Sequence, residues 1–242
     1  MNLETKKNAV KVEEVFVAKQ NAQKVFENMT TETQSPAEKL LATMQISVPI
    51  FFPSAFMKNN LEESKLKEGE RTGNHEAGHA AACKFNQHCT RITYMTTIPD
   101  PRTNSRGRTD FKTRPNYNKK QLESFVEMFL GGSMSEGVLT GPIDLAGLQN
   151  DLKMAYNITC LLIQHFGENI DPEFTIEWST PCQMNEEMKD KAGTLLIEIA
   201  DRMLPRFQDE HNKKILQELA TSVTEKGWLM EEQIYKYLDR LH

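Results

Sequence analysis

The sequence predicts a mainly α-helical fold that contains one small β-hairpin or sheet. Two long stretches, Lys119 to Leu139 and Leu145 to Phe166, repeat apolar residues at the spacing of an amphipathic helix. A shorter stretch, Arg91 to Ile98, is instead rich in β-branched and aromatic residues and is followed by turn-forming residues. We therefore expect helices along most of the chain and β structure only before the first of the two long helices.

Composition excludes several classes of protein. The 242 residues are 38% hydrophobic and 26% charged, which is typical of a globular protein with a sizeable core. A net charge of −5 lacks the basic excess of a nucleic-acid binder, so we expect no nucleic-acid partner. No run reaches the roughly 18 apolar residues of a membrane span, and the first residues do not resemble a signal peptide. Four cysteines without C-x-x-C spacing favour a reduced, cytoplasmic protein.

Residues 1–70 are predicted to be an accessory helical segment in front of a domain formed by residues 71–242. Thr5 to Met29 has amphipathic helical spacing, and Ser35-Pro36 has the residue types of a helix N-cap and first helical position. The apolar run Ile46 to Phe56 contains two prolines, which favours extended or irregular structure.

The pentapeptide His75-Glu76-Ala77-Gly78-His79 is an H-E-x-x-H motif. On a helix, side chains four residues apart lie on one face, so both histidines can bind a single metal ion. Glu76 would then face a water that the metal activates, and could take its proton. Three alanines directly after the motif favour the helix that this geometry requires. The motif therefore indicates a zinc-dependent hydrolase.

The residues after the motif are expected to form β structure. Arg91 to Ile98 is predicted to be a strand, with Arg108 to Lys112 pairing back against it. We expect the free edge of the first strand to bind an extended substrate as an added strand. The basic residues here could protect an exposed sheet edge, which we favour, or select acidic substrates. They are Arg102, Arg106, Arg108, Lys112 and Arg114.

The helix predicted from Lys119 to Leu139 contains Gly131-Gly132, which is costly inside a helix. A close helix crossing would explain the two glycines, with Gly78 of the motif as the expected contact. Glu136 has two interpretations: it could accept a hydrogen bond from a ligand imidazole, or it could be a surface carboxylate.

Asp151 lies on or beside the apolar stripe of the next predicted helix, Leu145 to Phe166, for which Gly167 is the expected C-cap. A carboxylate that enters a core unpaired is costly, and a metal would compensate it. H-E-x-x-H supplies two ligands, whereas a catalytic zinc site uses three from the protein. Asp151 is the candidate for the third, unless its side chain points to solvent.

Four segments in order resemble the peptidase domain of the FtsH family, the AAA+ metalloproteases of peptidase family M41. They read NHEAGHAA, RITYMTTIPD, FLGGSMSEG and GPIDLAGLQNDLKMAY, and a weaker likeness extends over Ile215 to Asp239. The resemblance covers about residues 70–240 and implies a helical, zincin-like metallopeptidase domain. It also implies that His75, His79 and Asp151 bind Zn²⁺ and that Glu76 is the general base.

Two parts of an FtsH protein are not found in the sequence. No G-x-x-x-x-G-K-[ST] phosphate loop occurs, and the family's membrane anchor is absent. By itself the chain is expected to hydrolyse unfolded or flexible polypeptides without ATP, and a separate ATPase partner is conceivable. Because the family forms hexameric rings, a homo-oligomer is also an expectation.

Two other functions are compatible with the sequence. The chain could be a non-proteolytic regulatory or binding module related to the FtsH peptidase domain, but such a module needs no general base. It could also be a structural zinc protein, but structural sites fill all four positions, usually with cysteine. Cys83 and Cys89 could be auxiliary ligands, although buried small hydrophobic residues are the favoured interpretation. His88 and His165 are candidates by residue type alone for stabilising an oxyanion, although solvent-exposed or packing histidines are the favoured interpretation.

Overall fold

The structure is a computed structural model that describes residues 68–102, 105–141, 145–166, 171–177, 180 and 185–242. The elements predicted before Glu68 lie outside these residues, and so does Gly167. The division of the chain near residue 70 therefore stays a prediction.

Six helices and five short strands make up the described part of the chain. The helices are α1 (Glu68–Phe85), α2 (Lys119–Thr140), α3 (Leu145–His165), α4 (Glu186–Gln208), α5 (Glu210–Lys226) and α6 (Glu231–Leu238). The strands are β1 (Ile92–Thr96), β2 (Arg108–Phe111), β3 (Asn116–Tyr117), β4 (Ile176–Glu177) and β5 (Trp228–Met230). The mainly α class predicted from the sequence is confirmed.

The predicted helices around α2 and α3 are confirmed almost to their ends. Helix α2 begins with a capping box, in which the Asn118 side chain accepts a hydrogen bond from the Gln121 N–H and the Gln121 side chain accepts one from the Asn118 N–H. Its side chains are buried along most of its length, so α2 is the central helix of the core. No sequence pattern described above predicts α4 or the β3–β4 pair.

The three-stranded sheet has the order β2-β1-β5, and both pairings are antiparallel. The predicted hairpin of β1 and β2 is confirmed, but the free edge expected on β1 is wrong. β5 occupies that edge, with Met95 opposite Leu229 and Thr96 opposite Trp228. This pairing joins residues more than 100 positions apart, which local patterning cannot reveal. Among the described residues, β2 pairs with β1 alone and forms an edge of the sheet.

The motif helix α1 packs between α2 on one side and α5 on the other. Its contact with α2 is a crossing of two glycines: a Cβ on Gly78 would lie 2.2 Å from the carbonyl oxygen of Gly131, and one on Gly131 would lie 2.5 Å from that of Gly78. A real side chain cannot fit at such distances, so the backbones touch. The crossing that the sequence predicts between these glycines is confirmed.

Cys83 and Cys89 form a disulfide, with their Cα atoms 5.2 Å apart. The expectation that the cysteines are reduced is therefore wrong for this pair, and a bonded pair supplies no thiolate to a metal. Helix α1 ends at Phe85, and a turn in which the Cys89 N–H donates to the Asn86 carbonyl brings the two residues together. The prediction of a cytoplasmic location therefore loses the support that it drew from the cysteines.

Helices that could cross a bilayer are absent from the described residues, since none is both long and apolar enough.

We predict that Gly131→Ala lowers the free energy of unfolding by about 1–3 kcal/mol, because the added methyl overpacks the crossing with α1. That loss exceeds the helix-propensity gain of at most about 1 kcal/mol. The measurement is urea denaturation followed by circular dichroism.

Gly69→Ala is the matched control, because a Cβ there meets only the Thr224 side chain at an ordinary 3.7 Å. Its stability should equal or slightly exceed that of the wild type. Equal stability of Gly131→Ala and Gly69→Ala would contradict the steric account.

Candidate metal centre

His75, His79 and Asp151 meet at one point between α1 and α3. Asp151 Oδ2 lies 2.8 Å from His75 Nε2 and 3.3 Å from His79 Nε2. One potential ligand atom from each of the three residues lies within 4.8 Å of the others. The two histidines project together because they are one helical turn apart, and α3 brings Asp151 to them from a distant part of the chain.

The second ring nitrogen of each histidine has a partner on α2. Nδ1 of His75 lies 2.5 Å from Glu136 Oε1, and Nδ1 of His79 lies 2.8 Å from the Met128 carbonyl oxygen. Both acceptors favour a proton on Nδ1, which leaves Nε2 of a neutral ring as the atom that can bind a metal. Of the two interpretations of Glu136, the structure supports the hydrogen-bond acceptor, since this side chain is only 1% exposed.

Gly132 of α2 gives the imidazoles their space. A Cβ at this position would lie 2.8 Å from His75 Nε2 and 2.8 Å from His79 Cε1. The two adjacent glycines of α2 therefore do different things: Gly131 lets the helices touch, and Gly132 makes room for the rings.

Charges within the group depend strongly on one another. Burial disfavours the charged form of Asp151, but His79 and His75 outweigh it and hold the pKa of the carboxyl well below its usual range. Burial likewise opposes protonation of His75, yet hydrogen bonds to Asp151 and Glu136 raise its pKa well above the ordinary value. Burial also opposes protonation of His79, but the charge and hydrogen bond of Asp151 and the charge of Glu76 together raise its pKa.

Glu76 lies on α1 beside this group and is 5% exposed. Burial raises the pKa of its carboxyl, an effect that His79 and His75 partly offset. The Thr109 hydroxyl of β2 donates a hydrogen bond to Glu76 Oε2 at 2.7 Å. Local sequence patterns did not identify Thr109, which appears there only as one residue of a predicted strand.

The donor set fits a divalent metal such as zinc. Two imidazole nitrogens and one carboxylate oxygen are the ligand types of a catalytic zinc site that leaves a fourth position open. Asp151, Glu136 and Glu76 also place three carboxylates around two imidazoles in a largely buried space. A bound cation would offset this excess of negative charge, which is otherwise costly to bury.

The two histidines considered for oxyanion stabilisation lie elsewhere. His88 follows the end of α1 and lines a pocket with Phe85, Glu127 and Arg206. His165 is fourteen residues beyond Asp151 on the same helix, about 21 Å along its axis. His165 is therefore too far along α3 to act on a substrate held by the candidate metal group, and the pocket that His88 lines contains none of the metal-group residues.

Comparisons with known proteins give the family of the chain. The family model described as peptidase family M41 matches residues 63–236. The ATP-dependent zinc metalloprotease FtsH of Borreliella burgdorferi (strain ZS7) is 28% identical over 176 residues, which cover 70% of this chain and 26% of that protein. The ATP-dependent zinc metalloprotease FtsH 2 of Alkaliphilus metalliredigens (strain QYMF) is 27% identical over 187 residues, which cover 73% of this chain and 24% of that protein.

The matched region thus spans about a quarter of each curated relative. The family model, however, matches most of the present sequence, including α1, α2 and α3 with the convergent side chains. The chain therefore belongs to peptidase family M41.

Proposed function

We propose that this chain is a zinc-dependent endopeptidase that hydrolyses peptide bonds in unfolded or flexible polypeptides. The observation that carries the proposal is the convergence of His75 Nε2, His79 Nε2 and Asp151 Oδ2 beside the buried carboxylate of Glu76. In this proposal His75, His79 and Asp151 are the zinc ligands, and Glu76 is the general base.

The chemistry divides between the metal and Glu76. Zinc, when bound, supplies Lewis-acid polarisation of the scissile carbonyl and lowers the pKa of the attacking water. Glu76 accepts a proton from that water as its oxygen bonds to the carbonyl carbon. The same carboxyl then delivers the proton to the leaving nitrogen as the carbon–nitrogen bond breaks, so Glu76 ends in its starting state.

In this proposal the substrate binds along the outer edge of β2, which is the edge that faces away from β1. Within the described ranges β2 has a partner on one side only, and Thr109 of β2 and Gly107, which directly precedes the strand, lie against Glu76. An extended polypeptide could add to this edge through main-chain hydrogen bonds, which suits a substrate without fixed structure. Arg108 and Asp110 of the strand form a salt bridge with each other. This pairing offsets part of the positive charge near that edge, which argues against selection of acidic substrates.

The proposed activity differs from that of the relatives in its dependence on ATP. Both are named ATP-dependent, whereas the present sequence contains no phosphate-binding loop. We propose that the chain acts on unfolded polypeptides without ATP, and that access to folded substrates requires a separate ATPase partner. Self-assembly into an oligomer is part of the same proposal.

The purified, zinc-loaded chain should cleave fluorescently labelled casein at the same rate with and without ATP, and should leave a stably folded reporter protein intact. Glu76→Gln should lower kcat by about a hundredfold to ten-thousandfold while zinc stays bound, because the amide cannot accept the proton. The measurements are cleavage kinetics and metal analysis. Persistent cleavage by Glu76→Gln, or no cleavage by the zinc-loaded wild type, would rule out the peptidase and favour a non-proteolytic module.

Asp151→Ala is expected to lose zinc during dialysis and to lose cleavage with it, because only two protein ligands remain. Metal content per chain, measured by mass spectrometry, checks this. Asp201→Ala removes an exposed carboxylate from α4 and should keep zinc at the wild-type level. In the wild type, 1,10-phenanthroline should stop cleavage, and added zinc should restore it.

Glu136→Gln should weaken zinc binding by about tenfold to a hundredfold, because a neutral amide oxygen accepts the His75 N–H more weakly than a charged carboxylate does. Competition with a fluorescent zinc chelator measures the affinity. Glu123→Gln, on the same helix, is the control and should bind zinc like the wild type. Equal affinity of the two variants would show that Glu136 does not support the ligand.

A further inference from the structure

Thr109 of β2 makes a direct contact with the proposed general base. Its hydroxyl donates to Glu76 Oε2 at 2.7 Å and lies 3.3 Å from the Glu76 backbone carbonyl oxygen. Because a hydroxyl carries a single hydrogen, the shorter contact is the main hydrogen bond. The contact joins the sheet to the helix that bears the H-E-x-x-H motif.

The position of the Thr109 hydroxyl is well determined by its surroundings. Thr109 lies opposite Met95 of β1, which is fully buried. Phe111, two residues further and therefore on the same face of the strand, packs against Phe125 of α2 with ring centroids 5.1 Å apart. A β-branched side chain also has few χ1 rotamers. The strand therefore presents the hydroxyl to Glu76 in one orientation.

Gly107 allows the strand to come this close. A Cβ at position 107 would lie 2.7 Å from Glu76 Oε1, 2.5 Å from Thr72 Cγ2 and 2.8 Å from the Thr96 carbonyl oxygen. Any side chain here would push β2 away from α1 or displace the carboxylate. Gly107, which directly precedes β2, and Thr109 within it thus lie close to the two carboxylate oxygens.

We propose that Thr109 is a positioning residue that holds the Glu76 carboxylate in the rotamer from which it can exchange a proton with the attacking water. This inference rests on the proposed peptidase function. Thr109 bonds one carboxylate oxygen and restricts rotation of the glutamate side chain, which otherwise has three rotatable bonds. It acts through Glu76, since its hydroxyl bonds that carboxylate, whereas the proposed substrate bonds the main chain at the outer edge of β2.

Thr109→Val removes the hydroxyl and keeps the branched shape. We expect kcat to fall by about tenfold to a hundredfold, as for the loss of a hydrogen bond to a charged group. KM and zinc content should stay near the wild-type values, because the hydroxyl binds neither substrate nor metal. Thr109→Ser keeps a donor at the same position and should recover most of the lost kcat.

Thr93→Val is the matched control, because its hydroxyl bonds the Asp110 carbonyl within the same sheet, at 3.3 Å. This variant should cleave labelled peptide like the wild type. If Thr109→Val keeps kcat within twofold of wild type, or if Thr93→Val loses as much kcat as Thr109→Val, the positioning role is overturned.

A second measurement does not depend on catalysis. In the zinc-free protein with ¹³C-labelled glutamate, the Glu76 carboxyl resonance is identified by its absence from Glu76→Gln. It should move in Thr109→Val and stay in place in Thr93→Val. If the wild type fails to cleave, the proposed function is wrong, but a shift of the Glu76 resonance in Thr109→Val still supports the contact. An unchanged Glu76 resonance in Thr109→Val overturns the inference.

Discussion

The contact between the backbones of α1 and α2 is the constraint on which the rest of the site depends. Gly78 and Gly131 let the two helices touch. At that separation the His75 and His79 rings lie over Gly132, and their Nδ1 atoms reach Glu136 and the Met128 carbonyl. A wider spacing would leave the imidazoles without the acceptors that set their tautomers. The close packing of α1 and α2 is therefore also what orients the histidines for metal binding.

The second requirement is electrostatic: three largely buried carboxylates lie close together, and their negative charges must be compensated. Asp151 is tolerated because two imidazoles face it, and Glu136 because His75 does. Glu76 has neither a cation nor a histidine in hydrogen-bonding contact among the described contacts, and burial raises its pKa.

Much of the fold and of the site could be predicted from residues alone. Amphipathic spacing located α2 and α3, and the helical position of Asp151 indicated a partner within the core. The costly Gly131 indicated a close crossing. The pairing of β1 with β5 could not be predicted, because β5 comes from a distant part of the chain. The disulfide of Cys83 and Cys89 depends on the turn after α1, and its spacing matches no common motif.

What the sequence determined by itself is the chemistry that is local on a helix: the two histidines and the glutamate of the motif share one helical turn, so their mutual geometry follows from the helical repeat. Tertiary structure decided everything that comes from other elements. Asp151, Glu136 and Thr109 reach the motif from α3, α2 and β2 respectively. Their approach is set by how closely helices and strands pack, and packing is a property of the whole core that no short stretch of sequence encodes.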